Sequence, residues 1–350
     1  MLYFFIFIFS IVLSMTLIPL LMRFAGNYNL IDVPGDRKIH SAAIPRIGGI
    51  AIGIGFMVPL LLWIPFSQQV IGLFVGGLII HLFGLWDDVV NLNYKIKFLG
   101  QLLGIIFAIL YGDIMIYYVP FSMDPIPGYI AFPLTIFILL GVTNAINLAD
   151  GLDGLAGGIT FLSFSALFLL AHESGDIVLA MLIVAMSGAL LGFLRFNTYP
   201  ARVFMGDNGS QFLGFMLAAL TIILCQESNR ALSPVIGLLI LGLPILDTLF
   251  VIVLRVIEGR SPFSSDKYHI HHRFMRLGFD HYESVVTIYS MQALFVVSAI
   301  LLRYQSDGLV LSLYFMFCTI IFVLLIMGER AGWQIHRGHP ASGLTRFVVS

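Results

Sequence analysis

Between residues 144 and 158 the chain reads Asn-Ala-Ile-Asn-Leu-Ala-Asp-Gly-Leu-Asp-Gly-Leu-Ala-Gly-Gly. Asn144, Asn147, Asp150 and Asp153 recur at every third position, directly after an apolar run that ends at Val142. An i, i+3 spacing sets successive side chains on one helical face. Amide and carboxylate oxygens at the end of an apolar helix suit a hard cation or a phosphate ester at a membrane surface. The interleaved glycines let the backbone bend and approach a ligand. The spacing does not fit an EF-hand loop, and no strand precedes the glycines as in a nucleotide-binding βαβ unit. A polar connecting loop is the plain alternative.

Four more stretches carry chemistry. Arg37, Lys38 and His40 form a compact cationic group ahead of Gly48-Gly49 at a helix start, a setting that favours anions. An ordinary positively charged cytoplasmic loop would look similar. In Gly84-Leu-Trp-Asp-Asp, Asp87 and Asp88 end a helix, where the macrodipole disfavours negative charge. Lys95 and Lys97 follow closely enough to compensate them or to hold a phosphate beside them. Residues 204–210, Phe-Met-Gly-Asp-Asn-Gly-Ser, lead into another apolar helix. There Asp207 is a candidate metal ligand, and Asn208 or Ser210 a candidate helix cap. The stretch 260–273 holds His269, His271 and His272 with Arg260, Lys267 and Arg273. Zinc is disfavoured because no cysteine lies nearby and the ligand spacing is wrong. A row of donors gripping a pyrophosphate fits better. Asp247 is the acid clearly inside an apolar helix, a functional position by default, or else a hydrogen-bond partner of the helix carrying Asn144.

These residues need a membrane scaffold to position them. Of 350 residues, 59% are hydrophobic and 11% charged, against about 25% charged in soluble domains. The expected fold is therefore an all-α integral membrane protein, a single polytopic domain over 1–350. A span needs about 20 apolar residues. Eleven candidates lie near 1–22, 47–66, 69–86, 98–118, 129–146, 155–171, 177–194, 209–226, 231–254, 284–302 and 308–328. The stretch 113–128, with Pro120, Pro125 and Pro127, is too broken by proline to span. Alternate connections hold sixteen of the eighteen basic residues; only Arg230 and Arg303 fall on the other side. The asymmetry predicts an outward (periplasmic) N-terminus and a cytoplasmic C-terminus. The first apolar run lacks the basic start of a signal peptide and reads as a retained helix. The two cysteines, Cys225 and Cys318, lie in apolar runs and read as packing residues. A net charge of −1 gives no reason to expect nucleic acid. All the polar clusters fall at the predicted cytoplasmic helix ends, so the substrate should be water-soluble and cytoplasmic.

With these stretches assembled, the chain resembles the bacterial polyprenyl-phosphate N-acetylhexosamine-1-phosphate transferases. The matching segments are the RKIH loop through Gly49, GLWDD, NAINLADGLDGLAGG, FMGDNGS and SPFSSDKYHIHHR, in the family's order and across nearly the whole chain. The last segment favours the branch that uses UDP-GlcNAc and undecaprenyl phosphate to begin O-antigen, common-antigen or teichoic-acid linkage synthesis. Trp86 departs from the smaller residue often found in relatives. The resemblance implies a multi-pass enzyme of the bacterial inner membrane. In it, the lipid phosphate attacks the β-phosphorus of the nucleotide sugar and releases UMP. It implies Mg²⁺, with Mn²⁺ as a substitute, held by Asn147 and Asp207. It implies catalytic roles for Asp87, Asp88, Lys97, His269 and His271. Substrate contacts would come from Lys38, His40, Asn144, Asp150, Asp153, Phe204, His272 and Arg273, with Phe204 stacked on uracil and Asp153 reading its edge. A homodimer is compatible with it. Another UDP-N-acetylhexosamine or a phospho-MurNAc-pentapeptide donor remains open. A rival of another class is a cation or solute transporter with Asp87, Asp150 and Asp247 along its path. Transport sites usually sit at the midplane of repeated halves, whereas these acids gather at one face and no repeat is visible.

Overall fold

The computed structural model describes residues 1–32, 43–122, 124–228, 232–261 and 268–332, and two short strands at 334–336 and 346–348. Backbone in hydrocarbon must satisfy its polar groups within its own segment, so apolar runs of this length become helices. In chain order they are α1 (Leu2–Phe24), α2 (Gly48–Trp63), α3 (Gln68–Val90), α4 (Tyr94–Leu110), α5 (Gly128–Ala149), α6 (Leu155–Glu173) and α7 (Ile177–Asn197). Then follow α8 (Gly206–Ile223), α9 (Ile236–Ile240), α10 (Gly242–Ile257), α11 (Ile270–Arg276), α12 (His281–Leu301) and α13 (Asp307–Arg330). The strands form two small antiparallel pairs, Ile31–Asp32 with Ile44–Pro45 and Gln334–His336 with Arg346–Val348.

Among the described residues, eight helices are long and apolar enough to cross a membrane: α1, α3, α5, α6, α7, α8, α12 and α13. The chain is thus an all-α, multi-pass membrane protein. The other three expected segments are helical but shorter. Helix α2 has 16 residues and α4 has 17, ending at Leu110 rather than near 118. Beyond α4 the described residues of the proline-containing stretch form no helix before α5; Gln226 Oε1 accepts the amides of Tyr117 and Tyr118 at 3.0 and 2.7 Å.

The expected span 231–254 is instead two helices meeting at Leu241 and Gly242. Pro244 lies in the first turn of α10, where its missing N–H costs least. Gln292 of α12 brackets the break. Its amide nitrogen donates to Ile240 O at 2.9 Å, and its oxygen accepts from Leu243 N at 3.3 Å. Ser163 Oγ also donates to Ile240 O, at 2.8 Å.

Helix α8 is the centre of the bundle. Every residue from Asn208 to Ile223 is buried, and α2, α3, α5, α6, α7 and α9 surround it. Its first turn meets the ends of α3, α4 and α5, which gathers the polar motifs at one end of the bundle. The other end is fastened by plain structural contacts: Arg303 to Glu173 at 2.8 Å, and Asp307 accepting from Phe121 N at 2.7 Å.

Helices α3 and α8 touch at Gly84 of the GLWDD motif. A Cβ there would lie 2.5 Å from Asn208 Cα and 2.9 Å from its nitrogen, and backbone cannot step aside as a flexible side chain can. Gly84→Ala is expected to destabilise the protein by about 1–3 kcal/mol, lowering the thermal unfolding midpoint in detergent.

Candidate active site

Helix α8 begins inside the protein, where its first amides have no intrahelical partner. No side chain of its own caps it. The expectation that Asn208 or Ser210 would do so is not met: Asn208 is fully buried with both side-chain polar atoms unpartnered among the described residues, and Ser210 Oγ donates to Gly206 O at 3.0 Å. The cap comes from α3. Asp88 Oδ1 accepts from Asp207 N at 2.8 Å and Oδ2 from Asn208 N at 3.0 Å. The adverse charge at the end of α3 is thereby matched to the favourable start of α8. Asp88 acts on the protein's own backbone.

Asp87 divides its carboxylate. Oδ1 accepts from Leu92 N at 2.8 Å and holds the α3–α4 turn, which left-handed Asn91 closes. Oδ2 lies 2.6 Å from Lys97 Nζ, and the same ammonium lies 2.6 Å from Asp207 Oδ2. Asp207 Oδ1 accepts from Asn147 Nδ2 at 2.7 Å, and Asn147 also donates to Ser210 Oγ at 2.8 Å. Residues 87, 97, 147 and 207, far apart in sequence, thus form one network of charge-assisted contacts.

Deeper by one turn lies a ladder that the sequence reading did not single out beyond Asn144. Asn144 Nδ2 donates to Gln101 Oε1 at 2.9 Å and to Leu140 O at 2.8 Å. Gln101 Nε2 donates to Gln211 Oε1 at 2.9 Å. The signal was present as two glutamines inside apolar helices, where a polar side chain needs a partner. Asn144 is thereby occupied in supporting the helices.

The turn after α5 brings Asp150 and Asp153 beside this network. Asp153 Oδ2 accepts from Ala201 N at 2.9 Å, and Asn197 Oδ1 accepts from Gly154 N at 3.0 Å. Tyr289 of α12 donates to Gly154 O at 2.6 Å. The side chain of Asp150 takes no hydrogen bond among the described residues. Burial first, then the carboxylates of Asp207, Asp88 and Asp153, push its pKa up to about 7. Phe204 is fixed by its backbone: its N–H donates to Pro45 O at 2.8 Å, and its carbonyl accepts from Gly48 N at 2.9 Å.

The histidines reach the same turn. A Cβ on Gly151 would lie 2.5 Å from His271 Nε2, so glycine is what lets this ring approach. Burial, reinforced by His272, His269 and His281, pushes the His271 pKa down to about 3. At neutral pH it is an uncharged ring. His272 lies against it, with ring centroids 4.2 Å apart. His269 Nδ1 is 2.9 Å from Asp247 Oδ2. Asp247 therefore bonds to the histidine segment and not to the helix of Asn144. Arg273, expected at the substrate, is turned elsewhere. It is buried, donates to Glu329 Oε2 and Tyr268 O, both at 3.1 Å, and sits 4.7 Å from the centroid of the Phe250 ring. Lys38, His40 and Lys267 lie outside the described residues.

Asp207 and Asn147 offer hard oxygens suited to Mg²⁺, which takes few protein ligands and fills its remaining positions with water and phosphate. The Asn147 side-chain oxygen, Oδ1, accepts no hydrogen bond among the described residues, and the Asp207 side chain is 35% exposed. Also among the described residues, no three His, Cys, Asp or Glu side chains converge to cage a metal. The donor set thus fits a cation shared with a substrate.

The profile of glycosyl transferase family 4 matches residues 70–225. The chain is 38% identical to a probable undecaprenyl-phosphate N-acetylglucosaminyl 1-phosphate transferase of Bacillus subtilis, over 91% of this chain and 90% of that one. It is 31% identical to an undecaprenyl-phosphate alpha-N-acetylglucosaminyl 1-phosphate transferase of Escherichia coli K12, over 81% and 79%. With a decaprenyl-phosphate N-acetylglucosaminephosphotransferase of Mycolicibacterium smegmatis it shares 33% identity over 76% and 73%.

The crowding around Asp150 predicts a pH effect on stability. A carboxyl raised to about 7 on folding binds its proton more tightly in the folded chain, so stability falls as pH rises from about 4 to about 7 and is level above. Asp150→Asn lacks this slope. Its thermal midpoint should exceed the parent's by a few degrees at pH 8, and the gap should narrow toward pH 5.

Proposed function

The chain belongs to glycosyl transferase family 4, and from that footing we propose that it transfers GlcNAc-1-phosphate from UDP-GlcNAc to undecaprenyl phosphate. The product is undecaprenyl-diphospho-GlcNAc, the starter of a lipid-linked cell-surface glycan. The observation that carries the reading is the meeting of Asp87, Lys97, Asn147 and Asp207 at one end of the bundle.

In the proposed reaction an oxygen of the lipid phosphate forms a bond to the β-phosphorus of the donor. The bond from that phosphorus to the bridging oxygen breaks, and UMP leaves with the oxygen. Phosphoryl transfer of this kind asks the protein for alignment and charge neutralisation more than for covalent chemistry. Asp207 and Asn147 would hold Mg²⁺ or its substitute Mn²⁺. A bound divalent cation supplies neutralisation of the pyrophosphate charge. Lys97 would contact the reacting phosphates, with Asp87 orienting its ammonium. A phosphate monoester has its second pKa near 6, so the acceptor is largely dianionic at neutral pH and a general base adds little. A single direct displacement follows. Phe204 would stack on uracil. Asp153, whose Oδ1 takes no hydrogen bond among the described residues, would read the base edge. His269, His271 and His272 would meet the pyrophosphate or sugar. Asp88 would serve by holding the start of α8.

The acceptor's chain can remain in the bilayer. Trp86, Val90, Tyr94 and Phe98 are exposed on α3 and α4 beside Asp87 and Lys97, and give the site an apolar flank. We place the site at the cytoplasmic face of the inner membrane, with an outward N-terminus and eleven crossings, because the basic residues lie on that side.

The test is a transfer assay on detergent-purified protein with Mg²⁺, undecaprenyl phosphate and UDP-GlcNAc, following UMP and lipid-linked sugar. Lipid-dependent UMP release is expected, stopped by chelation of the metal. Asp207→Ala should lower it by more than about 100-fold, the scale of losing an electrostatic contact to the reacting centre. Activity only with another UDP-N-acetylhexosamine would correct the donor, and silence with all of them would defeat the transferase reading.

A further inference from the structure

Asp247 is buried in α10 and hydrogen-bonds only to the histidine segment among the described residues. Its two oxygens take two successive residues. Oδ1 accepts from Ile270 N at 2.8 Å, and Oδ2 lies 2.9 Å from His269 Nδ1. A carboxylate in this position accepts, so Nδ1 must carry the proton and Nε2 is left as the free nitrogen of the neutral ring. Nε2 is on the opposite edge of the imidazole, turned away from Asp247. It takes no hydrogen bond among the described residues. The His269 ring is nearly parallel to that of His271, at 6° and 6.0 Å between centroids. His271 in turn lies against Gly151, between Asp150 and Leu152. A continuous row therefore leads from a helix of the bundle to the turn that bears the acids.

We propose that Asp247 is the positioning residue of His269: it fixes the ring's tautomer and orientation so that Nε2 faces the transferring phosphates. This rests on the transferase reading, which supplies the phosphates. Asp247 makes no hydrogen bond to Lys97, Asn147 or Asp207 and acts through the ring alone. The pairing has the form seen wherever a histidine does chemistry with one nitrogen and is oriented by a carboxylate at the other. Asp247→Asn separates orientation from tethering. The amide keeps an acceptor for Ile270 N–H but presents N–H to Nδ1, so the ring must move its proton to Nε2.

The experiment uses full-length protein in detergent with ¹⁵N-labelled histidine, the His269 signal being assigned by its loss in His269→Gln. At alkaline pH, where imidazoles are neutral, His269 is expected Nδ1-protonated in the parent and Nε2-protonated in Asp247→Asn. In the transfer assay Asp247→Asn should lower kcat at least about 10-fold, the lower end of the loss seen when a carboxylate that orients a metal-bound histidine is removed, with the KM for UDP-GlcNAc changed less than about threefold. An Nε2-protonated His269 in the parent overturns the proposal without recourse to any variant. So does a kcat for Asp247→Asn within about threefold of the parent's. A parent that shows the Nδ1 tautomer but transfers nothing overturns the transferase reading, and the role of Asp247 in transfer with it, while the tautomer result shows that the pairing itself is sound.

Discussion

A helix enclosed on all sides must hide the start of its own hydrogen-bond ladder, and α8 does so against Asp88. The first amides of α8 are unpaired by geometry, and the end of α3 is a poor place for an acid. Each element supplies what the other lacks. Once Asp88 is seated on the amides of Asp207 and Asn208, the side chain of Asp207 has little freedom. It meets Lys97 from α4 and Asn147 from α5. The site is thus a by-product of burying one helix completely.

The charges gathered there are unbalanced among the described residues. The five acids Asp87, Asp88, Asp150, Asp153 and Asp207 outnumber the Lys97 ammonium and the Arg46 guanidinium, whose charge reaches Asp88, and His271 is uncharged at neutral pH. An acid-rich pocket that handles phosphates has to receive positive charge along with them. That is the physical reason a divalent cation belongs in the proposed reaction. The uncharged polar groups have a different task. Gln101, Asn144 and Gln211 join three helices one turn deeper, although Gln211 Nε2 itself finds no partner among the described residues.

Much of this could be read from residue order. Each of the eleven apolar segments carries helix, and among the described residues eight of these helices are long enough to cross a membrane, because composition and length dominate helix formation in hydrocarbon. The split of 231–254 was not legible, since Gly242 and Pro244 are tolerated inside apolar helices and the break is stabilised by Gln292, from a distant helix. The i, i+3 pattern singled out Asn144, Asn147, Asp150 and Asp153, yet it could not assign their tasks. Asn144 looks inward, Asn147 meets Asp207, and Asp150 stands unpaired among the described residues. Asp88 and Arg273 show the same limit. Their charges marked them as chemistry, whereas the two backbone amides that take Asp88 and the carboxylate of Glu329 that takes Arg273 lie more than fifty residues away in sequence.

The enclosure of α8 also has a meaning for biosynthesis. Its walls α2, α3, α5, α6 and α7 precede it in the chain, while α9 follows. As the polypeptide is made from its N-terminus, five of the six helices that enclose α8 are synthesised before it and one after it. All four members of the network, Asp87, Lys97, Asn147 and Asp207, have been made by the time α8 is complete, but the histidines arrive only with α11, more than forty residues later. A nascent chain caught between these stages carries the acidic half of the site without its imidazoles. Competence for chemistry is therefore among the last properties the growing chain acquires.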